Sequence, residues 1–311
     1  MSTVIEKSKI DFRPITIQDK PIYEKFLAES GVRGCEFSFA NLYLWGRQSI
    51  SVGEKSILIF SQFNQKSVYP FPLGNRDVRG ALEAIIADAR ARGIACRISG
   101  ITEEARELLE SLYPSLFSYH CDEGSFDYVY SIDDLADLPG KKYDGKRNHL
   151  RRFRDAFPDC IPEPITDANS AAALAFIEEW YEKRLADNPD ADFRMERCAL
   201  AKAMRDREAL GLLGLMLRDG DRVLAMTLAS RLSEDTFDVH FEKARADVQG
   251  AYPAINCALA RHIRDKHPEV RYLDREEDMG IEGLRRAKKS YHPHHMVRKC
   301  WACLPEDGYD Y

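Results

Sequence analysis

The sequence predicts an α+β chain of two tandem modules, each a mixed sheet flanked by helices, over residues 1–138 and 139–311. Three observations carry this. Short apolar runs of strand length alternate along the chain with segments of helical period. The later half reads strand, strand, strand, helix, strand, helix, strand after leading helices, and the earlier half follows a similar order. The length of 311 residues is that of two domains, at roughly 150 residues each.

In the earlier half, residues 12–15 are extended. Thr16 and Asp19 then form a capping-box pattern before a helix through Ile22, Tyr23, Phe26 and Leu27. The aromatic patch 37–45 fits helix or strand. Residues 56–61 and 68–71 read as strands. Leu82, Ile85, Ile86 and Ala89 mark a helix ended by Gly93, and residues 95–98 a strand. Thr102 caps a further helix that Pro114 stops, and 126–130 is a strand. The acidic stretch 133–140, closing on Pro139-Gly140, reads as a linker.

In the later half, residues 171–185 form a helix with Leu174, Ile177, Trp180, Tyr181 and Leu185 inward. The runs 212–217 and 222–230 flank Asp219-Gly220, a hairpin signal. Residues 236–243 alternate, with Phe237, Val239 and Phe241 on one side and Asp238, His240 and Glu242 on the other. Helices over 250–263 and 281–289 and strands over 271–274 and 296–301 complete the order.

The composition is that of a globular chain, 44% hydrophobic and 31% charged. Forty-five Lys+Arg against 51 Asp+Glu give a net charge of −6, which argues against a general nucleic-acid coat. Residues 1–10 have no apolar core of a signal peptide, and the apolar runs 212–217 and 223–229 are far shorter than the ~20 residues of a membrane span. A cytoplasmic location is therefore expected, with most of the eight cysteines (Cys35, Cys96, Cys121, Cys160, Cys198, Cys257, Cys300 and Cys303) as reduced, packed thiols.

Several groups of residues bear chemistry. The trio Asp238, His240 and Glu242 offers carboxylates and an imidazole to an amine, or forms an ordinary solvated sheet face. The loop Asp274-Arg275-Glu276-Glu277-Asp278 lies between a strand and a helix, where acids suit a cationic amine, a hard metal ion or simply the helix dipole. Gly250-Ala251 opens a helix, whose N–H groups suit a pyrophosphate. In the basic run 141–154, Arg147, Arg151 and Arg154 share one helical face, fit either to grip phosphates or to lie in solvent. His292, His294, His295, Cys300 and Cys303 lack the second Cys pair of a common zinc site, so no metal is expected. No G-x-S-x-G, H-E-x-x-H or G-x-G-x-x-G pattern is present.

The opening Phe12-Arg-Pro-Ile-Thr-Ile-Gln-Asp and the element order resemble the GNAT (acyl-CoA N-acyltransferase) fold. Four segments resemble more closely a bacterial family related to the C-terminal domain of phosphatidylglycerol lysyltransferase. They are Glu36-Phe-Ser-Phe-Ala-Asn-Leu-Tyr-Leu-Trp45, Lys142-Tyr-Asp-Gly-Lys-Arg-Asn-His-Leu150, His240-Phe-Glu-Lys-Ala244, and the stretch from Arg275 through Met279-Gly-Ile-Glu-Gly-Leu-Arg-Arg-Ala-Lys-Lys-Ser-Tyr-His-Pro293. The resemblance implies tandem GNAT-like domains, the second with the main cofactor cleft, a plan shared with Fem-type aminoacyl-tRNA transferases.

It implies an acyltransferase moving an acyl group from coenzyme A to an amine by direct attack. Glu242 would be the base and Tyr291 the proton donor to the leaving group. Gln249, Gly250, Ala251, Lys288 and Arg147 would hold the cofactor, and His240, Glu276, Glu277, Asp278, Phe37, Asn41 and Trp45 the acceptor. Gln249-Gly250-Ala251 is a reduced form of the GNAT pyrophosphate motif, and Ala287 replaces the aromatic that precedes the lysine in the lysyltransferase-like pattern. An aminoacyl-tRNA donor, and a non-catalytic CoA-binding module, are the two alternative readings.

Overall fold

The computed structural model describes residues 9–63 and 66–304. The amino-terminal stretch read above for a leader lies, through residue 8, outside them. In chain order the elements are β1 (Arg13–Pro14), α1 (Lys20–Ser30), α2 (Phe39–Trp45), β2 (Gln48–Val52), β3 (Ile57–Phe63), β4 (Lys66–Pro70), α3 (Val78–Arg92), β5 (Arg97–Ile101), α4 (Glu103–Leu112), β6 (Ser118–Cys121) and β7 (Asp127–Ser131). There follow α5 (Ile132–Asp137), α6 (Asp144–Ala156), β8 (Ile161–Pro164), α7 (Ser170–Asp187), α8 (Arg194–Arg205), α9 (Arg207–Leu210), β9 (Leu213–Asp219), β10 (Arg222–Arg231), β11 (Thr236–Ala244), α10 (Ala251–Lys266), β12 (Tyr272–Asp274), α11 (Glu282–Lys289), β13 (His295–Val297) and β14 (Cys300–Cys303).

Local chemistry sets many of these boundaries. The capping box between Thr16 and Asp19 is formed. Asp77 caps α3 by accepting from the Gly80 N–H, and Gly93 ends that helix with a φ of 67°. Thr102 caps α4 through the Ala105 N–H. The aromatic patch resolves as helix α2, preceded by a short 3-10 turn over Cys35–Phe37.

The α+β class holds, with two mixed sheets flanked by helices. The chain forms two compact units, Met1–Phe126 with Val297–Tyr311, and Asp127–Met296. The first unit's seven-stranded sheet has the order β1-β2-β3-β4-β5-β14-β6, and the second's is β13-β7-β12-β11-β10-β9-β8. The division differs from the expected halves because strands are exchanged. β7 pairs with β12, Tyr272 opposite Ser131, and belongs to the second sheet. The single strand expected over 296–301 is two: β13 lies in the second sheet, and β14 is inserted between β5 and β6 of the first.

The expected linker is also structured. Its first residues form α5, with Leu135 and Ala136 fully buried in a core with Leu259, Ala260 and Ile263 of α10. Arg261 Nε donates to the Ala136 carbonyl at 2.8 Å. The acidic side chains that suggest a linker are the solvent-side charges of an amphipathic turn, and Arg264 pairs with Asp133 and Asp137. In α7 the inward set is Ala173, Phe176, Ile177 and Tyr181, whereas Leu174 is exposed.

Among the cysteines, Cys121 and Cys300 form a disulfide between directly opposed residues of β6 and β14. The expectation of thiols therefore fails for this pair, and Cys300 is not available as a zinc ligand. Cys35, Cys96, Cys257 and Cys303 are buried and form no disulfide. Among the described residues, no helix is long and apolar enough to cross a membrane.

Candidate functional site

Strand β11 organises the second unit, and a β-bulge changes how it does so. Leu228 on β10 lies opposite Phe241, but the next residue, Ala229, lies opposite Val239. His240 is therefore the extra residue, and the alternation changes side there. Directly opposed residues share a face. Thr227, opposite Glu242, thus shares the α10 side of the sheet with Ala225 and Ala229, which pack in the cores that α10 covers. Lys243 points the other way and stacks on Trp180 of α7 at 4.2 Å. The expectation that Asp238, His240 and Glu242 share one face fails, and so does the alternative of a solvated face. The bulge separates Glu242 from the other two, and the Asp238, His240 and Glu242 side chains are 0, 0 and 9% exposed.

On the α10 side, Glu242 Oε1 accepts from Arg275 Nη2 at 2.8 Å, and Oε2 lies 3.4 Å from Asn256 Nδ2. The Arg275 guanidinium stacks 5.1 Å from the Tyr291 ring and 5.7 Å from the Tyr130 ring. Burial opposes its charge, but Glu242, Tyr130 and Tyr291 more than restore it, so the guanidinium stays ionised. Lys146 Nζ sits 3.8 Å from the Tyr291 ring centroid and donates to Ser290 Oγ at 2.7 Å. Burial, aided by Arg275, lowers its ammonium pKa to about 8. Burial raises the Tyr291 phenol above its ordinary range. The two residues expected to be catalytic, Glu242 and Tyr291, thus meet at one guanidinium. The strands leave room for it, since β12 pairs with β11 only over Thr236–Asp238 while β11 runs on to Ala244.

This floor is not fully satisfied. Among the described residues, Thr227 Oγ1, Asn256 Oδ1 and Arg275 Nη1 are buried with no hydrogen-bond partner. All three belong to residues that contact Glu242 or lie opposite it. A buried polar atom left unpaired costs about 1–3 kcal/mol. Three around one carboxylate mark a place prepared for a polar group.

The expected phosphate cradle is built differently. Gly250 has a φ of 84°, and a Cβ there would lie 2.3 Å from the His149 carbonyl oxygen and 3.0 Å from Phe153 Cβ. Its glycine serves the close approach of α6, whose backbone covers the start of α10. The Ala251 N–H is engaged by Val248 O, and Pro253 has no N–H. Gln249 is exposed, and Ala251 is buried. Arg147 closes back on its own segment, donating to the carbonyls of Leu138 and Gly140 and pairing with Asp144. Lys288, 7% exposed, gives Nζ to the carbonyls of Arg275, Glu276 and Glu277. It braces the loop after β12 from inside.

The acidic loop divides in the same way. Asp278 is fully buried and accepts from Arg285 Nε at 2.7 Å, Tyr128 OH at 2.7 Å and the Gly280 N–H at 2.8 Å. Arg285, with help from Tyr128 and Gly280, holds its carboxyl at about 2. Glu277 is half-buried, and its carbonyl holds Lys288. Glu276 lies against His240, with Oε1 3.4 Å from Nδ1. In the first unit, Phe37 is fully buried, and Asn41 Nδ2 donates to the Cys35 carbonyl at 3.0 Å. Trp45 ends α2, half-buried.

Sequence reasoning missed Arg275, Asn256 and Thr227 as site residues. Each left a signal. Thr227 and Asn256 are lone polar residues in apolar patterns, and Arg275 is the one cation in an acidic loop.

Comparison with known proteins agrees with this architecture. A conserved protein of unknown function from Bacteroides thetaiotaomicron VPI-5482 is 35% identical, covers 95% of this chain and 99% of its own, and superposes with a TM-score of 0.89. The L-PGS structure from Bacillus licheniformis is 15% identical over 93% of this chain and 92% of its own, with a TM-score of 0.67. An uncharacterised protein of Mycoplasmoides gallisepticum is 24% identical over 178 residues, 57% of this chain, and the match spans 56% of that relative. The α+β fold, with its two mixed sheets flanked by helices, is shared with that L-PGS structure. The family model described as phosphatidylglycerol lysyltransferase, C-terminal, matches residues 28–303, and the chain belongs to that family.

Proposed function

We propose that the chain is an aminoacyl transferase, which moves an aminoacyl group from an ester donor, the acceptor end of a tRNA, to an amine. The observation that carries this reading is the floor around Glu242. Arg275 Nη1 offers a donor, Asn256 Oδ1 an acceptor, and Thr227 Oγ1 either. An aminoacyl ester brings a carbonyl oxygen for the guanidinium and an ammonium for the two oxygens. A plain acyl group brings only the carbonyl and leaves Asn256 unsatisfied.

In this reading the acceptor amine attacks the ester carbon. Arg275 faces the carbonyl oxygen, where negative charge develops. Glu242 Oε2 takes the amine's proton, directly or through a water. The C–O bond then breaks, and Tyr291, kept protonated by burial, gives its proton to the leaving oxygen. No covalent enzyme intermediate is needed. The rate comes from position and charge. Family membership supports a transferred lysyl-type group, as the family's description names a lysyltransferase.

A coenzyme A donor is the competing reading. It has less support because α6 covers Gly250 and Pro253 removes a donor from the helix start. The test supplies labelled aminoacyl-tRNA and labelled acetyl-CoA in parallel, each with an amine acceptor. Label transfer from the tRNA alone, lost in Glu242→Gln, is the expected result. Transfer from acetyl-CoA alone would overturn the donor assignment.

A further inference from the structure

On the face of β11 away from Glu242 lies a second cluster, which the transfer reading does not use. His240 Nδ1 lies 3.4 Å from Asp238 Oδ2 and 3.4 Å from Glu276 Oε1. One ligand atom from each residue lies within 4.8 Å of the other two. We propose that Asp238, His240 and Glu276 form a binding site for a divalent transition ion of the zinc class. The proposal does not rest on the transferase reading.

The distances favour an ion over the other ways to join these groups. A single ring N–H cannot serve two carboxylates, and both separations exceed the 2.7–3.2 Å of an ordinary N–H···O bond. A bound ammonium, with acceptors about 2.8 Å from its nitrogen in tetrahedral directions, would hold them about 4.6 Å apart. A tetrahedral zinc ion at about 2.0–2.1 Å from each ligand sets neighbouring donor atoms about 3.3–3.4 Å apart. The two separations from His240 match the last figure.

The ring is also oriented as a metal ligand is. Its Nε2 faces Ser230 Oγ at 2.8 Å, which turns Nδ1 towards the carboxylates. A neutral metal-bound imidazole typically gives its other N–H to such a partner. The bulge frees His240 from the regular register, so that a ring from β11 can meet a carboxylate from the loop after β12. The Asp238 and His240 side chains are fully buried, whereas Glu276 is 27% exposed. Three protein ligands and one open side suit an ion that keeps a water or takes a ligand oxygen.

The test uses the full chain without a histidine tag, stripped with a chelator and then dialysed. Zinc chloride is titrated by calorimetry and by competition with a chromogenic chelator. The expected result is one equivalent bound with a Kd of about 1 μM or below, and a higher Tm on saturation. His240→Ala should weaken binding at least 100-fold. Because that buried position bears on folding, Glu276→Gln, at the more exposed ligand, is the second variant. It should keep the native circular dichroism and bind at least 10-fold more weakly. Ser230→Ala should weaken binding about 10-fold. His295→Ala, outside the cluster, should leave the Kd unchanged. No binding by the folded chain at about 100 μM free zinc would overturn the proposal, as would an unchanged Kd in Glu276→Gln or a lost site in His295→Ala.

Discussion

Two buried ion pairs of the second unit look alike and differ in one respect. Asp278 with Arg285, and Glu242 with Arg275, both pair a hidden carboxylate with a guanidinium at 2.7–2.8 Å. Around Asp278 three named donors converge, from Arg285, Tyr128 and Gly280. Around Glu242, Thr227 Oγ1, Asn256 Oδ1 and Arg275 Nη1 remain without partners. A buried charge that is satisfied locally fixes a loop. One whose surroundings keep unmet hydrogen-bonding capacity holds that capacity for something that arrives. On the proposed reading, the difference gives Asp278 a structural part and Glu242 the functional one, although both were candidates for the same site.

Substitutions should separate the two. The largest effect on stability is expected at the anchor. Asp278→Asn leaves Arg285 without its anion and should cost about 3 kcal/mol, read by urea denaturation. Transfer per folded molecule should stay within a few-fold of the native rate. The same carboxylate sets an acid limit. Its folded pKa of about 2 lies below the ordinary 3.8, so its contribution is complete above pH 3.8 and is lost as pH falls through about 2. That amounts to about 2 kcal/mol, absent from the acid denaturation profile of Asp278→Asn.

Glu242→Gln should do the reverse, with transfer falling about 100-fold, about 2.7 kcal/mol of barrier, at a smaller loss of stability than at Asp278. A loss of stability equal to that of Asp278→Asn, with transfer intact, would break the comparison. Gly250→Ala comes next. Its Cβ meets the His149 carbonyl at 2.3 Å with φ at 84°, so the variant should lose about 1–3 kcal/mol of stability. On the proposed reading the loss should be the same with and without added coenzyme A, since the added Cβ meets α6. Thr227→Val is the smallest. Removing a buried hydroxyl that has no partner should leave stability within about 1 kcal/mol or raise it, while binding of an aminoacyl ligand weakens.

Much of the fold was legible because it is local. The alternation of Phe237 and Val239 against Asp238, the Asp219-Gly220 hairpin, and the caps at Thr16, Thr102 and Gly93 are all written in adjacent residues. What was not legible is non-local. The insertion of β14 between β5 and β6, and the pairing of β7 with β12, join residues far apart in sequence. No periodicity reports such a partner. The bulge at His240 likewise depends on the register with β10. A strict two-residue pattern put Glu242 beside Asp238, when one extra residue sends them to opposite faces. Gly250 signals a helix start with N–H groups suited to a pyrophosphate, but nothing in its neighbours shows that it also lets α6 approach closely. Lys288 and Arg147 carried charge without showing that backbone carbonyls already hold it.

The direct test of the account is calorimetric binding of a non-hydrolysable 3′-aminoacylamino-adenosine to the native chain and to Thr227→Val and Asn256→Leu. Saturable binding by the native chain is expected, at least 10-fold weaker in each variant, with all three proteins equally folded and no comparable heat from coenzyme A. Equal affinity in native and variant proteins, or tight binding of coenzyme A that survives both substitutions, would contradict it.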